Sequence, residues 1–179
     1  STVCSPHPEL VPVGRDLLGE QIAALHAEGI RCPIYITVGW DALLTQNHPE
    51  WRAMFKNGLF GDWNNGHPGQ WKFVNWLHPE VQQHIEDVTR EVIGRYGKDV
   101  DGFFYDICFF PKGACWSPES RKFREKHGLL DESLAGHERF MAKAHETFSK
   151  RYWDVIRAAR PEATVFFNAG SDTFLEPRL

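Results

Sequence analysis

The feature that most constrains this 179-residue sequence is the regular switching of its hydrophobic period between helix and strand. Residues 14–29 place Leu17, Leu18, Ile22 and Leu25 on one helical face and stop at Gly29, a residue suited to a helix end. The next run, Cys32-Pro33-Ile34-Tyr35-Ile36-Thr37-Val38, is rich in β-branched residues and closes at Gly39, which predicts a strand buried on both faces. A short strand is expected at 71–75. Pro79 then opens a helix with the stripe Val81, Ile85, Val88, Val92 and Tyr96, closed by Gly97. The most apolar strand spans 100–110. Helical sequence fills most of 118–159 with a break near Gly128 and Asp131, and a last strand covers 163–168.

The order α-β-α-β-α-β-α-β implies an α/β fold with a parallel sheet, its strands at 33–38, 72–75, 102–107 and 163–168 being neighbours in that order. Either a (β/α) barrel or a doubly wound sheet satisfies it. No Gly-x-Gly-x-x-Gly follows a strand and no P-loop is present, so the nucleotide-binding doubly wound sheet loses its main support. The chain is short for a complete barrel, which takes about 250 residues.

Between the first two expected strands lies a long loop, 40–70, with a short helix expected at 48–55. Trp40, Trp51, Trp63 and Trp71 lie in it or beside it, and a loop of this length in a compact domain is usually functional. Aromatic residues make up 13% of the chain, including seven Trp, which suits stacking on sugar rings, although core filling accounts for part of them. The formal net charge is −4 and no Lys/Arg run occurs, which argues against nucleic acid as partner. No apolar run approaches the roughly 20 residues of a membrane span. Four cysteines, Cys4, Cys32, Cys108 and Cys115, are too sparse for a disulfide scaffold, so a reducing compartment, the cytoplasm, is expected. The nine His form no zinc-protease pair, Cys108 and Cys115 have no partner pair, and no Gly-x-Ser-x-Gly elbow exists, so neither metal nor cofactor is expected.

In a barrel the chemistry sits at the C-terminal ends of the strands. The polar residues that close them here are Asp41 after Gly39-Trp40, Asn75 with Trp76, Asp106, and Asn168 with Ser171 and Asp172. Asp106 is the sharpest of these. A carboxylate inside Gly102-Phe103-Phe104-Tyr105-Asp106-Ile107-Cys108-Phe109-Phe110 is costly to bury unless it is paired or catalytic. The plainer alternative is an Asp that holds the following loop through backbone N–H groups. Asp41 has an equally good alternative as a helix N-cap, and Asn75 and Asn168 as braces between loops.

Four segments follow one another in a familiar order: Asp16-Leu17-Leu18-Gly19-Glu20-Gln21, Tyr35-Ile36-Thr37-Val38-Gly39-Trp40-Asp41, His48-Pro49-Glu50-Trp51, and Asp101-Gly102-Phe103-Phe104-Tyr105-Asp106-Ile107. Together they resemble the family described as hypothetical glycosyl hydrolase six, itself similar to the barrel domains of α-L-fucosidases and, more distantly, β-galactosidases. The resemblance covers about residues 7–170. It implies a (β/α) TIM-type barrel of which this chain supplies strands two to five as a single, incomplete catalytic domain, 1–179. It places Asp106 at the end of strand four, where retaining α-L-fucosidases carry their Asp nucleophile. The β-galactosidase relatives carry Asn-Glu there, and this chain has Tyr105-Asp106. Family members also have a Cys-rich loop after that strand. Here Cys108 and Cys115 remain and Ser117 stands where a further Cys falls, so no metal site carries over.

The implied activity is retaining hydrolysis of an oligosaccharide or glycoside. Trp40, Asp41, Asn75, Trp76, Asn168 and Asp172 would meet the sugar. The second carboxylate would be Asp172, Glu176 or a group beyond Leu179. The alternative from another class is a barrel that binds carbohydrate without cleaving it. Four strands would leave two open edges, so an oligomer is also expected.

Overall fold

The computed structural model describes residues 14–61 and 72–169. The chain runs α1 (Leu17–Ala27), β1 (Pro33–Thr37), α2 (Ala42–Asn47), α3 (Pro79–Tyr96), β2 (Gly102–Asp106), α4 (Pro118–His127), α5 (Leu134–Ala159) and β3 (Thr164–Phe167), with short 3₁₀ turns at Pro49–Trp51 and Gly97–Asp99. The strands form one parallel sheet in the order β1-β2-β3. Its register sets Thr37 opposite Asp106 and Tyr105 opposite Phe167.

Helix ends follow the residues expected of them. Asp16 caps α1 by accepting from the Gly19 N–H at 3.0 Å, and Gly29 follows the helix at φ +70°. Gly97 ends α3, and Gly128, left-handed at φ +67°, ends α4. The break expected near Gly128 and Asp131 is therefore real, and Ser133 recaps the chain by accepting from the Gly136 N–H at 3.1 Å.

One face of the sheet carries Ile34, Ile36, Phe103 and Tyr105, all buried. The stripe of α3 (Val81, Ile85, Val92) and that of α5 (Phe140, Ala144, Phe148, Tyr152, Ile156) complete this core. Tyr105 ties the layers together: its hydroxyl shares a 2.7 Å hydrogen bond with Thr89 of α3, and its ring meets Tyr152 of α5 at 5.4 Å. Strand parity puts Tyr35, Thr37, Phe104, Asp106, Phe166 and Asn168 on the other face. There Tyr35, Phe104 and Phe166 stack across the strands at 5.8 and 5.0 Å, with Tyr35 59% and Phe166 56% exposed. The expectation that β1 is buried on both faces thus fails within the described residues. Among them, no helix is long and apolar enough to cross a membrane.

The strand expected at 72–75 does not join the sheet. β1 pairs directly with β2, and the intervening segment makes only isolated antiparallel bridges, Trp40 to Phe73 and Arg52 to Val74. Its backbone is claimed by loops: the Val74 N–H donates to Gly39 O at 2.8 Å and the Asn75 N–H to Trp51 O at 2.6 Å. Phe73 and Val74 are buried, but by a segment that links the loops after β1, and a short apolar run reads the same in either role. Three parallel strands, not four, therefore form the described sheet. The expected run of four strands, two to five, thus loses the member at 72–75. Similarly, β2 ends at Asp106 rather than at Phe110, because Ile107 turns left-handed at φ +60°.

Candidate active site

Asp106 is the last residue of the central strand, half-buried at the C-terminal end of the sheet. Both flanking strands supply it with a donor. The Tyr35 hydroxyl, from β1, donates to Asp106 Oδ2 at 2.7 Å, and Asn168 Nδ2, just past β3, donates to Oδ1 at 2.6 Å. One donor on each oxygen fixes the plane of the carboxylate and leaves acceptor capacity on both atoms. Burial, followed by the hydrogen bond to Asp106, pushes the Tyr35 hydroxyl up to about 12, so it stays a donor at neutral pH.

Backbone contacts around Asp106 are equally definite. The Val38 N–H donates to Asp106 O at 2.9 Å and the Asn168 N–H to Tyr105 O at 2.8 Å. Beyond Asp106 the chain bends into the loop 107–117. Arg124 of α4, 1% exposed, holds that loop through its carbonyls: Nε donates to Cys115 O at 3.1 Å and Nη2 to Ala114 O at 3.3 Å, while Trp116 and Phe140 cover the guanidinium at 4.3 and 3.6 Å. Burial lowers Arg124 to about 10, which leaves it charged at neutral pH. Burial and the neighbouring Arg124 cation hold His137 down to about 4, so this imidazole is neutral.

The sequence-derived site residues divide into two groups. Asp106 and Asn168 come together, and Trp40 stands near the same end of the sheet, edge-on to Phe73 at 5.6 Å. Asp41 is the N-cap of α2, accepting from the Leu44 N–H at 2.7 Å, so its carboxylate already has a structural partner.

Asn75 and Trp76 are both 0% exposed, which leaves no surface there for a sugar. Asn75 Nδ2 donates to Ser117 Oγ at 2.7 Å, and its Oδ1 accepts from Ser120 Oγ at 2.9 Å and from the Leu77 N–H at 3.2 Å. Trp76 stacks on Phe110 at 4.5 Å. The expected sugar contacts at these two positions give way to a bracing role. Asp172, Ser171 and Glu176 lie outside the described residues.

Tyr35 is the member that sequence reasoning missed. Alternation places it on the face of Thr37, but only the register of β1 against β2 brings its hydroxyl to Asp106. Among the described residues, no group of three or more His, Cys, Asp or Glu side chains is arranged to hold a metal, and Cys32, Cys108 and Cys115 are free thiols.

Comparison with known proteins identifies a structural relative and a family. The chain is similar in structure to α-L-fucosidase isoenzyme 2 from Paenibacillus thiaminolyticus, with a TM-score of 0.67 and 28% identity. That match covers 86% of this chain and 23% of the fucosidase chain, so the present chain spans under a quarter of that enzyme. No curated protein sequence gives a significant match. The model of the family described as hypothetical glycosyl hydrolase 6 matches residues 2–107, a span that holds β1, β2, Tyr35 and Asp106 and stops just beyond the carboxylate. The chain belongs to the hypothetical glycosyl hydrolase 6 family.

Proposed function

We propose that this chain forms the nucleophile-bearing part of a retaining glycoside hydrolase of the α-L-fucosidase-like or β-galactosidase-like kind, built on a (β/α) barrel whose described strands are β1 to β3. The observation that carries the reading is a half-open carboxylate, Asp106, at the C-terminal end of a parallel sheet, oriented by donors from both neighbouring strands. Barrel enzymes place their chemistry at that end. The structural similarity to a fucosidase supports glycosides as the substrate class.

Asp106 attacks the anomeric carbon, and the bond to the leaving oxygen breaks as a glycosyl ester forms. A second carboxylate, set about 5–5.5 Å from the first in retaining enzymes, protonates that oxygen and then takes a proton from the water that cleaves the ester. Asp172 and Glu176 are this chain's candidates for it. Two displacements on opposite faces restore the starting configuration. Tyr35 and Asn168 hold the nucleophile, while Trp40 offers a ring face to the sugar.

The test is Asp106→Ala in the full-length protein, assayed on aryl glycosides. Turnover is expected to disappear with the circular dichroism spectrum unchanged. Azide is expected to restore part of it, because a small anion fits the vacated space and attacks from the nucleophile's face, giving a glycosyl azide of inverted configuration. Near-parental turnover in the variant ends the hypothesis, and an unfolded variant assigns Asp106 to structure. A parent protein that binds glycosides but cleaves none is a carbohydrate-binding barrel instead.

A further inference from the structure

The residue after Asp106 is in an unusual state. Ile107 has φ +60°, a left-handed conformation in which a β-branched side chain is a genuine outlier. It also interrupts the sheet. A regular parallel ladder would continue from the Asn168-to-Tyr105 bond with a bond from the Ile107 N–H to Asn168 O. The Cys108 N–H makes that bond instead, at 2.8 Å, so Ile107 is an extra residue in the manner of a bulge. Its side chain is 7% exposed. Its carbonyl presses on Gly39, just past β1: a Cβ added there would fall 2.2 Å from Ile107 O and 2.6 Å from its Cγ2. Only glycine leaves room for this contact.

Strain of this kind persists where the surroundings over-determine it, and it concentrates at functional sites. The two strand ends that meet here are those that carry Asp106 and its donor Tyr35. We propose that Ile107, wedged against Gly39, is a positioning residue that holds the Asp106 carboxylate between Tyr35 and Asn168. The bulge ends β2 at Asp106, and a restricted residue at 107 prevents the carboxylate from rocking about its own backbone. This rests on the reading of Asp106 as nucleophile.

The test compares Ile107→Ala with Ile107→Gly in the full-length protein. Both variants lose the packing beyond Cβ, but only glycine relieves the left-handed strain and only glycine frees the backbone. Glycine is therefore expected to give the higher melting temperature and the lower kcat, roughly tenfold or more below the alanine variant, with KM within about twofold in both. A purely structural Ile107 would make activity follow stability. Equal kcat in the two variants, or a higher kcat with glycine, overturns the proposal, and so does an alanine variant that melts above glycine.

Gly39→Ala is the independent probe, since it leaves the Ile107 side chain intact while displacing its carbonyl. A folded Gly39→Ala enzyme is expected to lose kcat by roughly tenfold or more at unchanged KM, and parental kcat there also overturns the proposal. Loss of fold in all three variants assigns the contact to structure alone and overturns it equally. Asp106→Ala in the same series separates the two hypotheses. Turnover surviving in that variant defeats the nucleophile, whereas turnover lost there without a glycine–alanine difference defeats only Ile107.

Discussion

Two polar clusters, one in the loops beside the sheet around Asn75 and one at the end of its central strand around Asp106, differ in how completely their hydrogen bonds are used and in exposure. Around Asn75, the side chains of Ser117 and Ser120 and the Leu77 N–H take three of the amide's hydrogen-bonding positions, and the whole group is sealed from solvent. Around Asp106, two donors hold a carboxylate that keeps free acceptor positions and partial exposure. A buried network of mutually bonded groups rigidifies a fold, because losing one partner leaves the others to bear their desolvation cost. A carboxylate with unused acceptor capacity facing an opening has chemistry left to do. Both Asn75 and Asp106 stand among apolar residues in the sequence, so this difference appears only in three dimensions.

The contrast predicts opposite phenotypes. After the loss of turnover expected for Asp106→Ala, the largest effect belongs to Asn75→Ala. Removing the amide leaves two hydroxyls and an N–H without their buried partner, and should destabilise the protein by about 2–4 kcal/mol in urea unfolding. Below its melting point the variant should keep parental kcat. A stable Asn75→Ala protein with impaired kcat would erase the distinction between the clusters.

Acid should strike the sealed side through stability. His137 is neutral in the fold down to about pH 4, whereas an unfolded histidine protonates near 6.5. Between those values the unfolded chain binds more protons, so stability rises with pH across the window. The contribution is fully present above 6.5 and is lost as pH falls towards 4. Its size is about 1–3 kcal/mol, and His137→Gln should reduce the loss of unfolding free energy between pH 6.5 and 4 by that amount. An unchanged acid profile would remove His137 from the account.

On the open side, Tyr35→Phe deletes one donor to Asp106 and keeps the ring stacked on Phe104. The expected loss is about tenfold in kcat, worth about 1.4 kcal/mol, with the melting temperature nearly unmoved because the hydroxyl lies at a partly open site. If stability falls instead of rate, Tyr35 belongs with the bracing residues. The smallest effect concerns Asp41, whose carboxylate caps α2. Asp41→Ala should cost about 1 kcal/mol of stability and leave KM unchanged. A several-fold rise in KM would return Asp41 to the sugar site.

Much of the fold was legible because its signals are local. The helical stripes of α3 and α5, the stops at Gly29, Gly97 and Gly128, and the β-branched run of β1 all depend on neighbours within a few residues. The segment at 72–75 misled because short-range pattern cannot distinguish an apolar run that joins a sheet from one that links two loops, and its backbone bonds are made to Gly39 and Trp51. Asp106 stood out as a carboxylate in an apolar strand, and it was read as the polar residue that closes it. What it touches was not legible. The reach of Tyr35 across β1 depends on register, and the left-handed turn at Ile107 depends on the absence of a side chain on Gly39, 68 positions earlier in the chain.

By itself, then, the sequence determined the α/β alternation, the longer helices with their stops, and the exceptional carboxylate, because periodicity and capping act along the chain, while the order of its segments carried the family resemblance. The tertiary structure alone decided which polar residues are sealed and which remain open. That choice is made by burial and by hydrogen bonds between distant segments, and the free energy of a buried polar group depends on partners that only the folded chain brings within 3 Å.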